Sequence, residues 1–375
     1  MRYADSTHAS QMTAPAYQEL LDAIDRIDPD GYGKGRNFID GPVTRLSPYI
    51  SRGVISTRLV FDRLRAKGFS RRQLEPLVRE LAWRDYWQLV WESRGEAINQ
   101  DLRYPQTGVL QHDTLPVAVQ EGRTGIEGID RGIKELLSTG YVHNHQRMYI
   151  ASVVCNIARC RWQTAARWMY YHLLDGDWAS NMLSWQWVAG TNSSKLYFAN
   201  QENINTYCGT DQRATFLDVA YEELPELKVP AVLEQTGVPD LSVRLPESST
   251  IELDPQLPVL IYNSYNLDPH WRSVQPANRV LLLEPEHFNR HPVSDKVIRH
   301  ILALASRIDG IKIHTGDFNS LHSKSSGQPF FFRQHPFTSH YSGTMDEREW
   351  LTDIKGYFPS FFSFWKKAEK QLFAD

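Results

Sequence analysis

Cysteine is scarce in this 375-residue chain, and the three that occur, Cys155, Cys160 and Cys208, form no CxxC pair. This spacing argues against a disulfide framework and against a cysteine-based zinc site, and it favours a reducing compartment. No N-terminal apolar run resembles a signal peptide, and no apolar run is long enough to span a bilayer. We therefore expect a cytoplasmic protein that does not enter a membrane.

A large excess of charge of one sign is also missing, since the formal net charge is −3. Global charge therefore gives no indication of nucleic-acid binding. A local exception lies between Arg52 and Arg72, where seven basic side chains accompany one acid, Asp62. Such a cluster is about as often a solvated helix face as a strip that binds phosphates, so it is compatible with a DNA partner.

Aromatic side chains, by contrast, are abundant, with 11 Trp, 17 Tyr and 16 Phe. A large helical core accounts for most of the phenylalanine. Tryptophan is rarely buried completely, and its N–H usually needs a hydrogen-bond partner, so eleven of them indicate stacking surfaces.

The first 220 residues carry almost no strand signals. Apolar spacing predicts a helix that begins near Ser47, and further helices over residues 15–30, 73–93, 126–140, 142–160, 162–174 and 177–189. The segment DPDGYGKGRNFIDG, residues 28–41, predicts a Gly-rich loop.

The sequence changes character after Leu224. Six prolines between Pro225 and Pro258, without periodicity, predict an inter-domain linker over residues 225–258. Beyond it, a helical stretch at 294–308 lies among short apolar runs at 257–263, 278–285 and 310–318. This alternation predicts a small α/β unit with parallel strands, and residues 358–373 predict an amphipathic helix that docks onto one of the domains.

The segment DGDWASN, residues 175–181, combines two acids with an amide. Asp175 and Asp177 can serve as a metal pair, as an acid/base pair, or as acceptors for a ring N–H and ribose hydroxyls, while the plainest interpretation is a helix N-cap. Asn181 and Trp185 follow Asp177 at intervals of four, on the same helical face. Because tryptophan is not a metal ligand, this face suits a flat heteroaromatic ring better than a metal.

The segment HNHQRM, residues 143–148, predicts an ion pair rather than a metal site. An HxH pair on a helix points its imidazoles apart, and no acid completes an HExxH motif, so we expect no metal. Arg147 can instead pair with a buried acid, for which Asp175 is the natural candidate. Thr44 and Ser47, at the start of a helix, offer the hydroxyls and N–H groups that anion binding requires.

From about Tyr32 to Glu223 the chain resembles the FAD-binding helical domain of the photolyase/cryptochrome family. The resemblance rests on Tyr32 with Arg36 and on a series of ordered segments: 44–50 (TRLSPYI), 79–87 (RELAWRDYW), 123–130 (RTGIEGID), 143–148 (HNHQRM) and 173–187 (LLDGDWASNMLSWQW). It implies a mainly α fold, with a helical FAD-binding domain over residues 1–224. The linker and a small Rossmann-like α/β unit over 259–375 would follow.

The resemblance implies FAD as the cofactor, whereas no antenna pigment is assigned. Tyr32 and segment 44–47 would hold its phosphates, Arg147 would pair with Asp175 beside the isoalloxazine, and Asn181 would face flavin N5. Trp185 would be the flavin-proximal tryptophan of an electron-transfer chain, and Trp162 the next. The full set of implied cofactor residues is Tyr32, Thr44, Arg45, Leu46, Ser47, Arg84, Asn144, Arg147, Asp175, Gly176, Asp177 and Asn181.

The lesion pocket of the family also has counterparts, and these resemble the cyclobutane-dimer enzymes. They are Glu80, Trp83, Asn144, Met148 and Trp187, with Arg36 as a contact to the DNA backbone. A (6-4) type enzyme would be expected to have His at positions 144 and 148. The resemblance therefore implies blue-light-driven repair of pyrimidine dimers in single- or double-stranded DNA. A flipped-out dimer would receive an electron from excited reduced FAD, with Glu80, Asn181, Trp185 and Trp162 as the catalytic set.

Three departures from the family stand out. Val43 replaces a hydroxyl residue in the phosphate segment. No tryptophan lies between Trp91 and Trp162, so electron transfer would stop early or use one of three other residues: Trp168, Tyr170 or Tyr104. The antenna domain is missing from the N-terminus, and the C-terminal unit resembles a permuted or reduced version of it.

Two other functions stay open. A cryptochrome-like photoreceptor would keep the flavin but signal through a protein partner. A metal-dependent hydrolase would use Asp175, Asp177 and the histidines.

Overall fold

Helices build the first half of the computed structural model, which describes residues 14–248 and 251–374. The first five are α1 (Tyr17–Asp25), α2 (Pro29–Gly35), α3 (Ser47–Ser51), α4 (Thr57–Ala66) and α5 (Arg71–Arg94). They are followed by α6 (Val117–Glu121), α7 (Glu127–Thr139), α8 (Asn144–Ser152), α9 (Trp162–His172), α10 (Trp178–Val188) and α11 (Gln201–Cys208). The predicted helices are confirmed, with ends that shift by a few residues.

The predicted Gly-rich loop is wrong in part, because α2 forms inside it. The Asp28 carboxylate accepts a hydrogen bond from the Asp30 N–H, and Pro29 occupies the first turn. An Asp N-cap followed by proline is a favourable helix start, and here it outweighs the low helix propensity of three glycines.

A five-stranded parallel sheet forms the core of the C-terminal unit. Its strands are β3 (Val259–Tyr262), β4 (Asn278–Leu283), β5 (Ile311–Thr315), β6 (Phe330–Arg333) and β7 (Thr344–Asp346), and their order across the sheet is β5-β4-β3-β6-β7. Helices α13 (Pro285–Arg290) and α14 (Asp295–Ala305) connect β4 to β5, and α15 (Phe318–His322) connects β5 to β6. This order is that of a doubly wound sheet, so the expected parallel α/β unit is present. The last two strands, which are very short, escaped prediction.

The Pro-rich stretch contains short elements that lie against the helical part. A 3₁₀ turn spans Leu224–Glu226, and α12 spans Ala231–Glu234. Strand β2 (Thr236–Gly237) pairs antiparallel with β1 (Leu115–Pro116). The chain therefore returns to the helical half before it enters the sheet.

The two halves share one hydrophobic core. Buried residues of the sheet, such as Leu260 and Leu281, belong to the same cluster as those of α5, α9 and α10. The last helix, α16 (Phe361–Leu372), packs on α5, so the predicted tail helix docks onto the helical half. Among the described residues, no helix is both long and apolar enough to cross a membrane.

Candidate functional site

A cavity of about 110 Å³, here called the central cavity, lies between α5, α8, α9 and α10. The structure brings eight predicted site residues to its wall: Arg84, Asn144, Arg147, Met148, Asp175, Asp177, Asn181 and Trp185. Ser180 and Ser184 add hydroxyls, while the apolar side chains around it are Ala151, Met169, Leu173 and Val188. One small space thus combines charged donors, carboxylate and amide acceptors, and an apolar lining.

The expected ion pair between Arg147 and Asp175 forms at the cavity. Arg147 Nη2 donates to both carboxylate oxygens, at 3.1 and 2.8 Å, and its Nε donates to the Val142 carbonyl at 3.0 Å. Burial alone would raise the pKa of Asp175, but the Arg147 charge and hydrogen bonds from Arg147 and Ser47 outweigh it and lower the pKa. Asp175 is therefore held as a carboxylate.

Asp177 is both the N-cap of α10 and the acceptor in a second network. Its Oδ1 accepts from the Ser180 N–H at 2.8 Å. Its Oδ2 accepts from Arg84 Nη1 at 3.2 Å and from Gln88 Nε2 at 2.6 Å. The sequence reasoning missed Gln88, although its position four residues after Arg84 on α5 was a usable signal.

Asn181 links α10 to α9 beside the cavity. Its Nδ2 donates to the Ala166 carbonyl at 2.8 Å, so the amide oxygen is the atom left over for a ligand. A five-residue connection joins the two helices. Trp185 lies one turn after Asn181 on α10, and Trp162 lies one turn before Ala166 on α9. Both tryptophans are buried, one on each of the two helices that the Asn181–Ala166 bond holds together.

Tyr32, Arg36 and Glu80 form a separate cluster that does not line the central cavity. Arg36 Nε lies 3.5 Å from Glu80 Oε1, and the Arg36 guanidinium lies 6.0 Å from the centre of the Tyr32 ring. The Glu80 side chain keeps 40% of its surface exposed, yet desolvation by the surrounding protein raises its pKa against the opposing charges of Arg36 and Arg79. A carboxyl group of this kind keeps its proton to a higher pH than an ordinary glutamate, so more of it is present as the acid.

The loop before α3 uses its polar groups internally. Thr44 Oγ1 accepts from the Leu46 N–H at 3.4 Å, and Leu46 is buried. The Arg45 backbone has a φ of 52°, and its guanidinium stacks over Tyr141 at 4.5 Å. Ser47 lies close enough to the Asp175 carboxylate to help lower its pKa. In this arrangement Thr44 and Arg45 lie away from the central cavity.

Gly176 has a structural role between the two acids. A Cβ built there would lie 3.1 Å from the Leu173 carbonyl and 3.2 Å from the Tyr170 ring. The close approach of the Leu173 carbonyl and the Tyr170 ring therefore favours glycine at this position.

The two tryptophans of the implied lesion pocket have different surroundings. The Trp83 ring stacks on Phe361 of α16, with 3.7 Å between ring centres and 8° between ring planes. Trp187 is 39% exposed and lies 5.5 Å from the Tyr197 ring. The tail helix thus covers one face of Trp83, while Trp187 stays accessible.

The basic cluster between Arg52 and Arg72 is largely paired. Arg58 bonds Asp62, Arg63 bonds Asp25, and Arg71 bonds Glu369 of the tail helix. Arg52 is 1% exposed and donates to the carbonyls of Leu174 and Ser264. These arginines stabilise the fold, so the cluster does not form a free phosphate-binding strip.

A second cavity, of about 330 Å³, lies between the helical half and the sheet and is called the interface cavity. Arg84 and Asp177 line both cavities. Arg348, from the segment before α16, donates to Gln88 Oε1 at 2.9 Å. A residue from the C-terminal half therefore stands two hydrogen bonds away from the central cavity, which no local sequence pattern could have indicated.

The three other proposed electron donors are placed very differently. Tyr104 is 48% exposed. Trp168 is buried next to His172. The Tyr170 hydroxyl lies 2.6 Å from that of Tyr265, in the interface between the two halves.

The chemistry of the central cavity fits a flat heteroaromatic group rather than a metal. Ser180 Oγ is buried without a hydrogen-bond partner, and acceptors from Asp177 and Asn181 stand beside apolar side chains. His143 Nδ1 caps α8 by accepting from the His145 N–H. Across the described residues, no group of three or more His, Cys, Asp or Glu side chains could hold a metal ion.

Residues 77–250 match the protein family described as the FAD binding domain of DNA photolyase. This range contains most of α5 and all of α8, α9 and α10, the helices that surround the central cavity. These residues belong to the photolyase FAD-binding domain family. FAD is the cofactor of that family, and Glu80, Trp83 and Trp187 lie within the matched part of the photolyase-type domain.

Relatives of the photolyase-type domain include both repair enzymes and cryptochromes. A deoxyribodipyrimidine photo-lyase of Streptomyces griseus is 36% identical over 162 residues, which cover 43% of this chain and 35% of the relative. Cryptochrome DASH of Oryza sativa subsp. japonica is 29% identical over 188 residues, which cover 47% of this chain and 32% of the relative. The chain therefore spans about a third of the length of these two relatives.

Among solved structures, a cryptochrome of Synechocystis sp. PCC6803 aligns with a TM-score of 0.46 at 22% identity, over 52% of this chain and 44% of that one.

Proposed function

We propose that this chain binds FAD at the central cavity and uses blue light to repair cyclobutane pyrimidine dimers in DNA. The observation that carries the proposal is the convergence of Arg84, Arg147, Asp177, Asn181 and Trp185 on one cavity with an apolar lining. When bound, reduced FAD supplies the group that absorbs light and the electron that splits the dimer. Arg84, Asp177 and Asn181 would hold its ring system, and the Arg147–Asp175 pair would fix the charge beside it.

The residues proposed to bind the lesion lie around the same region. Asn144 and Met148 line the central cavity. Glu80 lies on α5 one turn before Arg84, and its raised pKa suits a proton donor to a thymine carbonyl. Trp187 offers an exposed ring on which a flipped base can stack. Arg36, next to Glu80, supplies a cation for the DNA backbone.

Trp185 and Trp162 are proposed to deliver electrons that keep the cofactor reduced. Trp185 lines the cavity, and the bond from Asn181 to Ala166 holds its helix, α10, against α9, which carries Trp162. Both are almost completely buried, which suits internal electron transfer and excludes water from the path. Trp185→Phe is expected to block the photoreduction of bound FAD, and an unchanged rate would remove Trp185 from the path.

A second candidate is a photoreceptor that signals through a protein partner. The stacking of Phe361 on Trp83 favours it, because a covered Trp83 face is closed to a DNA lesion. The two candidates predict different behaviour of α16: a repair enzyme must move it away from Trp83, whereas a receptor can use it as the signalling element.

The decisive experiment uses purified full-length protein reconstituted with FAD. The flavin is reduced, and the protein is illuminated with blue light beside an oligonucleotide that contains a thymine dimer. Recovery of thymine absorbance supports the repair enzyme. Flavin bands without repair of single- or double-stranded substrate favour the receptor, and failure to bind FAD overturns both.

A matched pair of variants assigns the repair to this site. Glu80→Gln is expected to lower the repair yield while FAD stays bound. Glu75→Gln, on the same helix but paired with Arg71 and Arg79 at the surface, should repair like the unmodified protein.

A further inference from the structure

Two buried tryptophans donate their indole N–H groups to acceptors from one short segment, but the acceptors differ in kind. Trp162 is 0% exposed, and its Nε1 donates to Asp101 Oδ1 at 2.8 Å. Trp178 is 1% exposed, and its Nε1 donates to Asn99 Oδ1, also at 2.8 Å. A carboxylate can accept a proton, whereas a neutral amide oxygen is a very poor base. Only the first of these tryptophans has a proton acceptor at its nitrogen.

The surroundings hold Asp101 firmly in this position. Its Oδ2 accepts from the Gln106 N–H at 2.9 Å and from Arg161 Nη1 at 3.2 Å. The Gln106 side chain accepts from the Trp162 backbone N–H at 3.1 Å. These bonds fix Oδ1 on the indole, and the Asp101 side chain, 15% exposed, still reaches solvent.

We propose that Asp101 is the proton acceptor of Trp162, so that light-driven oxidation of the tryptophans ends at Trp162. The proposal rests on the electron path from Trp162 through Trp185 described under the proposed function. A tryptophan that has lost an electron becomes a strong N–H acid. A carboxylate at 2.8 Å is within the range for direct proton transfer.

The step balances in electrons and protons. Trp185, oxidised by light-driven transfer of one electron to the bound flavin, takes one electron from Trp162. The N–H bond of oxidised Trp162 then breaks, and an O–H bond forms on Asp101 Oδ1. The products are a neutral Trp162 radical and a protonated Asp101.

This step explains how the chain can function without the third tryptophan. Return of the electron to Trp162 now requires return of the proton as well, which slows recombination. The separated state therefore lasts long enough for an external reductant to act. A third tryptophan, at the surface, would also slow recombination, because it would lie farther from the flavin.

Transient absorption after a blue flash, on the full chain reconstituted with FAD, tests the proposal. In unmodified protein the tryptophan cation radical is expected to convert to the neutral radical, more slowly in D₂O. Asp101→Asn keeps a hydrogen-bond acceptor but no base. It should preserve the cation radical and lower the yield of stable photoreduction roughly a hundredfold, the low end of what a positioned proton acceptor contributes.

Two further variants serve as controls. Asp101→Glu retains a carboxylate and is expected to restore the neutral radical. Asn99→Ala removes the acceptor of Trp178 and should leave both the radical and the yield unchanged. A neutral radical that forms in Asp101→Asn at the unmodified rate would overturn the proposal.

Trp162→Phe separates this proposal from the proposed function. Unchanged photoreduction in that variant removes Trp162 from the path, and the Asp101 proposal falls with it. Loss of photoreduction in Trp162→Phe together with normal proton transfer in Asp101→Asn overturns the role of Asp101 alone.

A measurement without flavin tests the hydrogen bond itself. In the proton NMR spectrum, the Trp162 indole N–H resonance is expected to lie downfield, protected from exchange, and to shift upfield in Asp101→Asn. A Trp162 indole N–H that exchanges like a free indole would overturn the proposal directly.

Discussion

At the scale of single residues, the site depends on charges that are buried in pairs. The side chains of Asp175 and Asp177 are each 6% exposed, and each has an arginine within hydrogen-bond distance. Burial of an isolated carboxylate is very unfavourable, so the arginines Arg147 and Arg84 are needed before any ligand enters. The polar wall of the central cavity is therefore preorganised.

Replacement of Arg147 by Met tests this dependence. The variant leaves Asp175 buried without its cation, which is expected to lower the free energy of unfolding by about 3–5 kcal/mol and to weaken FAD binding. Urea unfolding of the flavin-free protein measures the first effect. Arg290→Met, which removes an exposed pair with Glu286, should change stability by less than about 1 kcal/mol. Equal losses in the two variants would contradict the importance of the buried pair.

At the scale of elements, α5 connects the central cavity with the tail helix. One of its sides carries Arg84 and Gln88 towards Asp177, and another packs Trp83 and Tyr86 against Phe361. A change in the position of α16 would therefore alter the packing of α5, the helix that carries Arg84 and Gln88. This arrangement makes the tail the element to test for both candidate functions.

Adjacent phenylalanines of α16 provide a matched test. Phe361→Ala removes the ring stacked on Trp83, whereas Phe362→Ala changes a side chain that is 68% exposed. We expect Phe361→Ala to destabilise the protein by about 3–5 kcal/mol and to increase acrylamide quenching of tryptophan fluorescence, while Phe362→Ala does neither. Phe361→Leu, which fills most of the space, keeps the test valid if the alanine variant unfolds.

The affinity of a Phe361 variant for DNA distinguishes the repair enzyme from the photoreceptor. If Phe361 blocks the lesion pocket, Phe361→Ala should bind a dimer-containing oligonucleotide more tightly than the unmodified protein. Unchanged affinity would mean that Trp83 does not contact the lesion.

Sequence patterns predicted elements well where their signal was local. The helix over 73–93 was found because apolar spacing continues for six turns, and α5 spans Arg71–Arg94. Helix α2 was missed because its glycines masked a cap at Asp28. Strands β6 and β7 were missed because four- and three-residue strands carry too little periodicity. The position of β6 is set by pairing with β3, which lies about 70 residues earlier, and that of β7 by pairing with β6.

At the scale of the whole molecule, the interface between the two halves is rich in buried neutral histidines. Burial lowers the pKa of His291 to about 2 and that of His300 to about 4. His291 packs against Trp178, and His300 lies 6.2 Å from the Tyr49 ring. Both contacts join the C-terminal half to the helical half.

These histidines predict stability that falls as the pH decreases below about 6.5. In the unfolded chain each histidine binds a proton there, whereas in the folded protein it stays neutral. Each group therefore costs about 1.4 kcal/mol of folding free energy at pH 5.5. Urea unfolding at pH 7.5 and 5.5 measures the difference. His300→Leu should reduce the difference in unfolding free energy between the two pH values by about 1.4 kcal/mol. Replacement of the exposed His112 by Leu should not reduce this difference. An identical pH dependence in all three proteins would contradict this prediction.

Four features followed from the amino-acid sequence alone: the helical half, the parallel α/β unit, the Arg147–Asp175 pair and the family of residues 77–250. These features depend on local periodicity, on caps, and on charged residue types that cannot be buried alone. Short segments of the sequence are therefore enough to predict them.

The contacts between residues of the two halves, by contrast, became visible in the folded protein and not in the sequence. The contact of Arg348 with Gln88, the Tyr170–Tyr265 hydroxyl pair and the stack of Phe361 on Trp83 join residues 95 to 278 positions apart. The bond of Trp162 to Asp101 spans 61 positions. Such contacts depend on how packed elements fill space, because side-chain shape and burial select a partner without leaving a periodic trace in the sequence.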